Sequence, residues 1–459
     1  MKNTIYSILT IAFLLSIFGC QNPTTKVVSS QNEEAHVKTM PEWAKDAVIY
    51  EVNIRQHTES GTFNEFTNDI PRLKKLGIDI LWIMPIQEIG VDNRKGTMGS
   101  YYSIKDYTKT NPEFGSIEDF KTLVQAAHNN GMYVILDWVA NHTAWDHSWT
   151  ETNPEFYTKD SSGNFIPPVE DWGDVIDLNY ENTDMQEAMI ADMKFWINET
   201  DIDGFRCDVA EMVPTEFWNK ARAELDKVKP VFMLAEAEQA EHHDAAFDMS
   251  YSWWLLHGMN QIARGEKDVT ELDTILTWEK ENFPEGSIKM RFTTNHDENS
   301  WNGTVFERYG EGNLCFSVLC YTLPGMPLLY SGQEAGLDHR LDFFEKDYID
   351  WSDIVYEDFY KSMNKLKKDN PALWNGEYGG DMEIIKCQKN FPVFAFTRTK
   401  GDNEILVVLN LSDNLAFCEL DVDDTNAIYS DYFEDIEYNA DDLAYLNFQP
   451  WQYYILIKE

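Results

Sequence analysis

The sequence is poor in basic residues and in cysteines. It has 37 Lys and Arg against 79 Asp and Glu in 459 residues, a formal net charge of −42. Because this charge repels phosphate backbones, it argues against a nucleic-acid partner. Beyond Cys20 the cysteines are odd in number and lack a short repeated spacing, which argues against a disulfide framework or a zinc site, although a Cys387–Cys418 bridge remains open. These cysteines are Cys207, Cys315, Cys320, Cys387 and Cys418.

Long hydrophobic runs are also scarce. The apolar run Ile5–Phe18 follows Lys2 and is shorter than the roughly 20 residues of a membrane-spanning helix. It has the length of a signal-peptide core, and Gly19-Cys20 after it resembles a bacterial lipoprotein cleavage site, with Cys20 as the lipidated residue. We therefore predict a signal peptide over 1–20, a polar linker over 21–40 and export to the cell envelope. The bulky Phe18 departs from the usual pattern, so plain secretion stays open.

Short apolar runs alternate with helical periods from about residue 47 onward. Apolar residues make up 43% of the chain, ample for a large core. The pattern predicts a (β/α)8 TIM barrel over 41–374, with the sixth strand the weakest, and capping boxes at Ser116–Asp119 and Thr183–Gln186. The predicted strands are 47–53, 78–86, 132–139, 204–210, 231–237, 247–252, 288–294 and 327–331.

Two regions depart from the alternating pattern. Residues 143–177 are rich in Trp, Pro, Gly and Asp, which predicts a short inserted domain after the third strand. After Trp374, strand-like segments follow without helices, at 383–389, 393–398, 405–411 and 452–457. We therefore predict a C-terminal antiparallel β-sandwich domain over 375–459.

Carboxylates follow three of the predicted barrel strands. Asp208, Glu236 and Asp297 lie after strands four, five and seven, where the strand ends of a barrel converge. Two converging carboxylates are what glycoside hydrolysis requires, one to attack the sugar and one to protonate the leaving oxygen. Arg206 lies two residues before Asp208, so it shares that face and is expected to keep Asp208 ionised. Such an arginine would repel a metal ion, and no H-E-x-x-H spacing is present.

Several motifs in order resemble one known family. They lie at the predicted strand ends, and the resemblance spans about residues 45–459 to the α-amylase family, glycoside hydrolase family 13. The segments similar to its four signature regions are Asp137–His142, Gly204–Asp208, Glu236 and Phe292–Asp297. Further similar segments are Tyr102–Tyr107, Asp177–Asn179 and Gly325–Glu334.

The resemblance implies a role for each matching residue. Asp208 would be the nucleophile, Glu236 the general acid and base, and Asp297 the group that binds sugar hydroxyls and stabilises the transition state. Four further residues would contact the sugar at the cleavage point: Tyr102, His142, Arg206 and His296. Asp137 is expected to be a structural partner of the site.

The resemblance also implies a Ca²⁺ site, with oxygen ligands from Asn141 and Asp177. Where many relatives have a Lys-His pair after the nucleophile, this chain has Glu211 and Met212, which puts that site in question. No organic cofactor is expected.

The implied activity is retaining hydrolysis of α-1,4-glucosidic bonds in starch-like glucans or maltooligosaccharides. An α-glucosidase, cyclomaltodextrin hydrolase or transglycosidase of the same family would share every motif. A glycan-binding lipoprotein that has lost catalysis is a third hypothesis, although such proteins usually lack a catalytic carboxylate. The expected partner is an α-glucan, and the membrane is expected to be reached only through a lipid on Cys20.

Overall fold

The protein was studied as a computed structural model, which describes residues 38–387, 392–420, 427–434 and 436–459. The predicted signal peptide and most of the predicted linker lie outside the described residues. No helix in the described ranges is long and apolar enough to cross a membrane.

Strands and helices alternate between residues 49 and 369. The strands are β1 (Ile49–Val52), β2 (Ile80–Ile83), β3 (Gln87–Ile89), β4 (Ile104–Thr110), β5 (Tyr133–Trp138), β6 (His142–Ala144), β7 (Val175–Asp177), β8 (Gly204–Cys207), β9 (Phe232–Ala235), β10 (Met249–Ser250), β11 (Ile288–Arg291), β12 (Met326–Tyr330), β13 (Asp381–Ile385), β14 (Val393–Lys400), β15 (Asn403–Asn410), β16 (Ala416–Cys418), β17 (Ile428–Asp431), β18 (Glu437–Asn439), β19 (Leu446–Phe448) and β20 (Tyr453–Lys458). The helices are α1 (Ile54–His57), α2 (Phe63–Thr67), α3 (Ile70–Leu76), α4 (Ile117–Asn129), α5 (Trp149–Thr152), α6 (Thr183–Thr200), α7 (Thr215–Leu225), α8 (His242–Ala245), α9 (Trp253–Ala263), α10 (Thr270–Asn282), α11 (Val305–Tyr309), α12 (Asn313–Thr322), α13 (Glu357–Asp369) and α14 (Ala440–Leu443).

Eight parallel strands close into a barrel, which confirms the predicted fold. Their order around the barrel is β1, β12, β11, β10, β9, β8, β5 and β2. Every residue of these strands is buried except the first of β5, because the barrel interior buries one face and the surrounding helices bury the other. The weakly predicted sixth strand is β10, which has only two residues and pairs with β9 and β11.

The helix starts follow local capping chemistry, with one correction. At α4 the Ser116 side chain accepts from the Asp119 N–H and the Asp119 carboxylate accepts in return, as the capping-box prediction required. The prediction of a Thr183–Gln186 box was wrong. Asn182 caps α6 instead, because its side chain already accepts from the backbone of residues 184 and 185.

The C-terminal region is a two-layer antiparallel β structure, which confirms the predicted sandwich. A six-stranded sheet runs in the order β13, β14, β15, β20, β17, β18, and β16 pairs with β19 in a second sheet. Alternate side chains of β15 serve different cores: Ile405 and Val407 pack on the barrel core, whereas Leu406 and Val408 pack in a separate core with β16 and β19. Cys387 and Cys418 form a disulfide in this region.

The excursion after β5 is enclosed by a short antiparallel pair. β6 and β7 pair with His142 opposite Asp177, so the two ends of the intervening segment meet beside the barrel. This pairing holds His142 at the barrel's carboxyl end.

Candidate active site

The backbone ladder of two neighbouring strands brings Asp208 and Glu236 together. Cys207 pairs with Ala235 at the ends of β8 and β9, and each carboxylate follows its paired residue by one position. The Glu236 N–H donates to the Cys207 carbonyl at 3.1 Å, which extends the ladder to the carboxylates themselves. Neighbouring strands lie about 4.8 Å apart, so the two side chains leave the barrel side by side.

Arg206 lies at the centre of the cluster and is fully buried. Its Nη1 donates to Asp137 Oδ1 at 2.9 Å and to Asp208 Oδ1 at 3.0 Å. Its Nη2 lies 2.7 Å from Glu236 Oε2, an ion-pair contact without the angle of a hydrogen bond. One guanidinium therefore contacts both carboxylates and fixes their spacing.

Asp137 is a positioning residue, as expected. It is fully buried, and its Oδ2 accepts from Trp82 Nε1 at 3.0 Å and from the Tyr102 hydroxyl at 3.1 Å. With its other oxygen on Arg206, Asp137 fixes the guanidinium and has no oxygen left for a ligand.

His296 and Asp297 form a charged pair after β11, which is two strands from β9 around the barrel. His296 Nε2 lies 3.2 Å from Asp297 Oδ2, and its Nδ1 is bound to Glu51. Burial alone would lower the pKa of His296, but the two carboxylates outweigh it and raise that pKa well above 6.5. Burial would likewise raise the pKa of Asp297, but His296 outweighs it and lowers that pKa. The pair is therefore an imidazolium beside a carboxylate.

The environment of Asp208 and Glu236 corrects one expectation. Burial raises the pKa of both carboxyls, and Arg206 opposes that rise without reversing it. The prediction that Arg206 keeps Asp208 ionised considered one neighbour only. In the described site, Arg206 and His296 face five acidic side chains, so the site favours keeping a proton on a carboxyl. The acidic side chains are Glu51, Asp137, Asp208, Glu236 and Asp297.

Val209, directly after Asp208, has a strained backbone. Its φ of 36° lies in the left-handed region, which a β-branched residue rarely adopts. This conformation points its N–H at Glu236 Oε2, at 2.8 Å. Local strain of this kind is typical of functional sites, where the surrounding structure holds it in place.

The side chains that could react remain reachable from solvent. Asp208, Glu236 and Asp297 expose 10%, 13% and 34% of their side chains. Tyr102 is 9% exposed, and its hydroxyl lies 2.8 Å from His296 Nε2, so it belongs to the wall of the same site.

His142 lies beside Tyr102, to whose backbone it hydrogen-bonds. Burial lowers the pKa of His142 to about 4, so the imidazole is neutral at pH 7. It can therefore donate or accept a hydrogen bond there without adding charge.

The implied calcium ligands lie close together but lack further acidic ligands. The Leu178 N–H donates to the Asn141 carbonyl at 3.1 Å, which places Asn141 next to Asp177. The described residues contain no group of three or more His, Cys, Asp or Glu side chains arranged to hold a metal ion. Since Ca²⁺ takes six to eight oxygen ligands, these two residues do not make up a site, and calcium stays a prediction from the resemblance.

Two residues of the site were missed in the sequence. Glu51 on β1 binds His296, and the Tyr251 hydroxyl after β10 accepts from Arg206 Nε at 3.2 Å. A signal for Glu51 was present, because it is a charged residue inside the buried run of β1. Tyr251 gave no signal, because an aromatic residue beside a strand is most often part of the core.

The chain matches the model of the α-amylase catalytic domain at residues 33–168 and 169–380, more than half of its length. An α-amylase of Haloarcula japonica is 26% identical over 81% of this chain, which spans 56% of that relative's length. An α-amylase of Dictyoglomus thermophilum is 25% identical, over 81% of this chain and 85% of its own.

Solved structures agree in fold. A maltogenic α-amylase from Thermotoga neapolitana superposes with a TM-score of 0.82 at 30% identity, covering 91% of this chain and 99% of its own. An α-amylase from Lactobacillus plantarum gives 0.81 at 28% identity, over 90% and 99%. The barrel, the ordered strand-end carboxylates and these matches together establish that the chain belongs to the α-amylase family of glycoside hydrolases.

Proposed function

We propose that the protein hydrolyses α-1,4-glucosidic bonds of starch-like glucans or maltooligosaccharides with retention of anomeric configuration. The observation that carries this proposal is the placement of Asp208 and Glu236 on adjacent strands, both in contact with Arg206. Retention requires two carboxyls about 5–5.5 Å apart, which neighbouring strand ends supply.

In the first step Asp208 attacks the anomeric carbon while Glu236 protonates the glycosidic oxygen. The bond from Asp208 to the sugar forms as the bond to the leaving oxygen breaks, and the proton of Glu236 goes to that oxygen. Once Glu236 holds the cluster's proton, its charge no longer raises the pKa of Asp208, and Arg206 stabilises the aspartate. The excess of carboxyls over cations thus favours a protonated Glu236 as the acid together with an ionised Asp208 as the nucleophile.

In the second step a water molecule replaces the departed alcohol. Glu236, now a carboxylate, takes the water's proton as the oxygen attacks the anomeric carbon, and Asp208 leaves as a carboxylate. Both groups return to their starting state, and two inversions leave the product in the α configuration.

The His296–Asp297 pair holds the sugar. Asp297, ionised beside His296, can accept hydrogen bonds from sugar hydroxyls and offset the positive charge that develops at the anomeric centre. His142 and Tyr102 complete the wall, one as a neutral polar group and the other as a ring held by Asp137 and His296.

Product analysis tests the proposal most broadly. Soluble starch, maltose and cyclodextrins are incubated with the enzyme, and the products are separated by chain length. Rapid shortening of starch chains supports the proposal. Preference for cyclodextrins or maltose would favour the second candidate, since relatives include a cyclomaltodextrinase of a Bacillus species and an oligo-1,6-glucosidase of Heyndrickxia coagulans. Binding of glucans without any hydrolysis would indicate the glycan-binding alternative.

We also propose that Cys20 carries a lipid and anchors the enzyme to the cell envelope. The apolar run that ends at Gly19-Cys20 supports this. Wild-type protein should then fractionate with membranes, and Cys20→Ser should appear in the soluble fraction with normal activity. Soluble wild-type protein that begins beyond residue 20 would contradict the anchor and indicate plain secretion.

A further inference from the structure

Glu51 is a buried carboxylate behind the reacting groups of the site. It lies on β1 and is fully buried, whereas Asp208, Glu236 and Asp297 all keep part of their side chains in contact with solvent. A carboxylate is almost never fully buried unless it is paired, because removing its charge from water is costly. The burial of Glu51 therefore requires a specific partner.

His296 is the partner that accounts for this burial. Glu51 Oε1 is bound to His296 Nδ1, and Glu51 Oε2 has no hydrogen-bond partner among the described residues. A buried oxygen without a partner costs free energy, so the arrangement is unfavourable as simple packing. In the part of the chain that the structure describes, the Glu51 side chain makes no other hydrogen bond, which ties this residue to His296 alone.

The Tyr102 hydroxyl donates its proton to Asp137. Asp137 accepts from Arg206 at one oxygen and from Trp82 at the other, so it acts as a carboxylate. The Tyr102 hydroxyl lies 3.1 Å from the second of these oxygens and donates to it. Because a hydroxyl has one proton to donate, the Tyr102 oxygen is an acceptor at its remaining contact.

Both ring nitrogens of His296 therefore carry a proton. Nε2 lies 2.8 Å from the Tyr102 oxygen and donates to it, and Nδ1 donates to Glu51. An imidazole that is protonated at both nitrogens is a cation. The hydrogen bonds thus agree with the pKa of His296, which burial would lower but which Asp297 and Glu51 together raise well above 6.5.

The titratable and charged groups that face the Glu51–His296 pair come from several strands. They are Tyr102, Asp137, Arg206, Glu236, Tyr251, Asp297 and Tyr330. Two carboxylates contact the imidazole itself, Glu51 at Nδ1 and Asp297 at Nε2. Asp297 is the more exposed of the two and faces the substrate, so Glu51 is the carboxylate that can hold the charge of His296 throughout the reaction.

We propose that Glu51 is a positioning residue of the hydrolysis: it holds His296 as an imidazolium directed at Asp297, and so keeps Asp297 ionised for the sugar. This rests on the proposed function. Glu51 acts through His296 and does not contact the substrate, since it is fully buried and the imidazole lies between it and Asp297.

The titration of His296 tests this proposal in the resting enzyme. Glu51→Gln keeps the volume and an oxygen that can accept from Nδ1, but it removes the charge. With histidine labelled with 13C at Cε1, the ring signal reports the protonation state, and its absence in His296→Asn identifies it. In the wild type the signal should stay at the imidazolium position through pH 7. In Glu51→Gln the pKa of His296 should fall by roughly 1–3, the effect of losing one adjacent opposite charge.

Glu279→Gln is the matched control for that titration. It also removes a buried carboxylate, but one that is bound to Arg291 between the barrel and its helices, so the titration of His296 should not change. If Glu51→Gln does not fold, the wild type still decides. With 15N-labelled histidine at pH 7, two protonated nitrogens in His296 support the proposal, and one unprotonated nitrogen contradicts it.

The pH profile connects the charge of His296 to the reaction. On the alkaline limb of kcat/KM, Glu236 loses the proton that it needs as an acid. In Glu51→Gln, His296 is already neutral there and no longer lowers the pKa of Glu236, so the limb should move to higher pH. Adding Glu51→Gln to His296→Asn should move it no further, because Glu51 acts through His296.

Two results would overturn the proposal: a His296 titration that is the same in Glu51→Gln as in the wild type, or an alkaline limb that moves to lower pH in that variant. The second result would show that the charge of Glu51 acts on Glu236 directly. The NMR titration needs no substrate, so a failure of the proposed function would appear separately, as absent hydrolysis beside a His296 titration that still responds to Glu51→Gln.

Discussion

In the described residues, the buried charges between the barrel and its helices are arranged differently from those at the barrel mouth. Between the barrel and its helices, Arg291 makes a two-pronged pair with Glu279, at 2.8 and 2.6 Å. At the barrel mouth, by contrast, the acidic side chains outnumber the cations. Balanced charges hold elements together, whereas the imbalance at the mouth supplies a proton and a nucleophile.

The largest effect is expected at the barrel mouth. Asp208→Asn and Glu236→Gln should each lower kcat on a natural glucan by about 10²–10⁴-fold or more, because each removes a reacting group with little change in volume. Stability should change little, since the exchange relieves crowding of negative charge. Initial rates and urea unfolding on the same samples check both statements. Near-full activity in either variant would remove Asp208 or Glu236 from the mechanism.

The opposite outcome, a loss of stability without a loss of activity, is expected for the Arg291–Glu279 pair between the barrel and its helices. Glu279→Gln should lower the free energy of unfolding by about 3 kcal/mol, because it leaves the buried Arg291 without its counter-ion. The folded variant should keep a kcat close to that of the wild type. Urea unfolding at a temperature where the variant is folded gives the first value, and initial rates give the second. A large loss of kcat with unchanged stability would contradict the division between the two regions.

A smaller effect, a shift in pH dependence, is expected from His296→Asn. The His296 charge lowers the pKa of Glu236, and Glu236 must hold its proton to act as an acid. Activity is lost on the alkaline side as the pH rises through that pKa. Removing the imidazolium should raise the pKa and move the alkaline limb of kcat/KM to higher pH.

His142→Asn is the matched control for that shift. His142 has a pKa of about 4 and is neutral across the alkaline limb, so its replacement should leave the position of the limb unchanged even if the rate falls. An alkaline limb that moves equally in both variants would show that the His296 charge is not its cause.

The barrel could be predicted because its strands are buried on both faces and are therefore mostly apolar. The three carboxylates could be predicted because they lie at the ends of those runs. Two other features could not be predicted, one because it depends on local competition and one because it depends on a long-range contact. The cap of α6 shifted by one residue to Asn182, since neighbouring polar residues compete for the same N–H groups. Trp301 and Phe343 are brought together by hydrogen bonds between two loops, which no period in the sequence indicates.

The pKa of Asp208 shows a different limit. Its direction depends on burial and then on several neighbouring charges, among them Glu236 and Asp297, which follow other strands. The sequence indicates the Arg206–Asp208 pair, but it does not show how strongly the other neighbours shift the pKa of Asp208. Only the folded arrangement shows that the site has more acids than cations.

The anomeric form of the first product tests the central claim most directly. If Asp208 attacks the anomeric carbon and Glu236 assists, two inversions occur and the α-anomer is released. Direct attack by water would need the carboxyls about 6.5–9.5 Å apart and would release the β-anomer. Proton NMR, recorded before mutarotation equilibrates the products, should show the α-anomeric signal growing first. A β-anomeric signal that appears first would contradict the roles of Asp208 and Glu236, even if starch is cleaved.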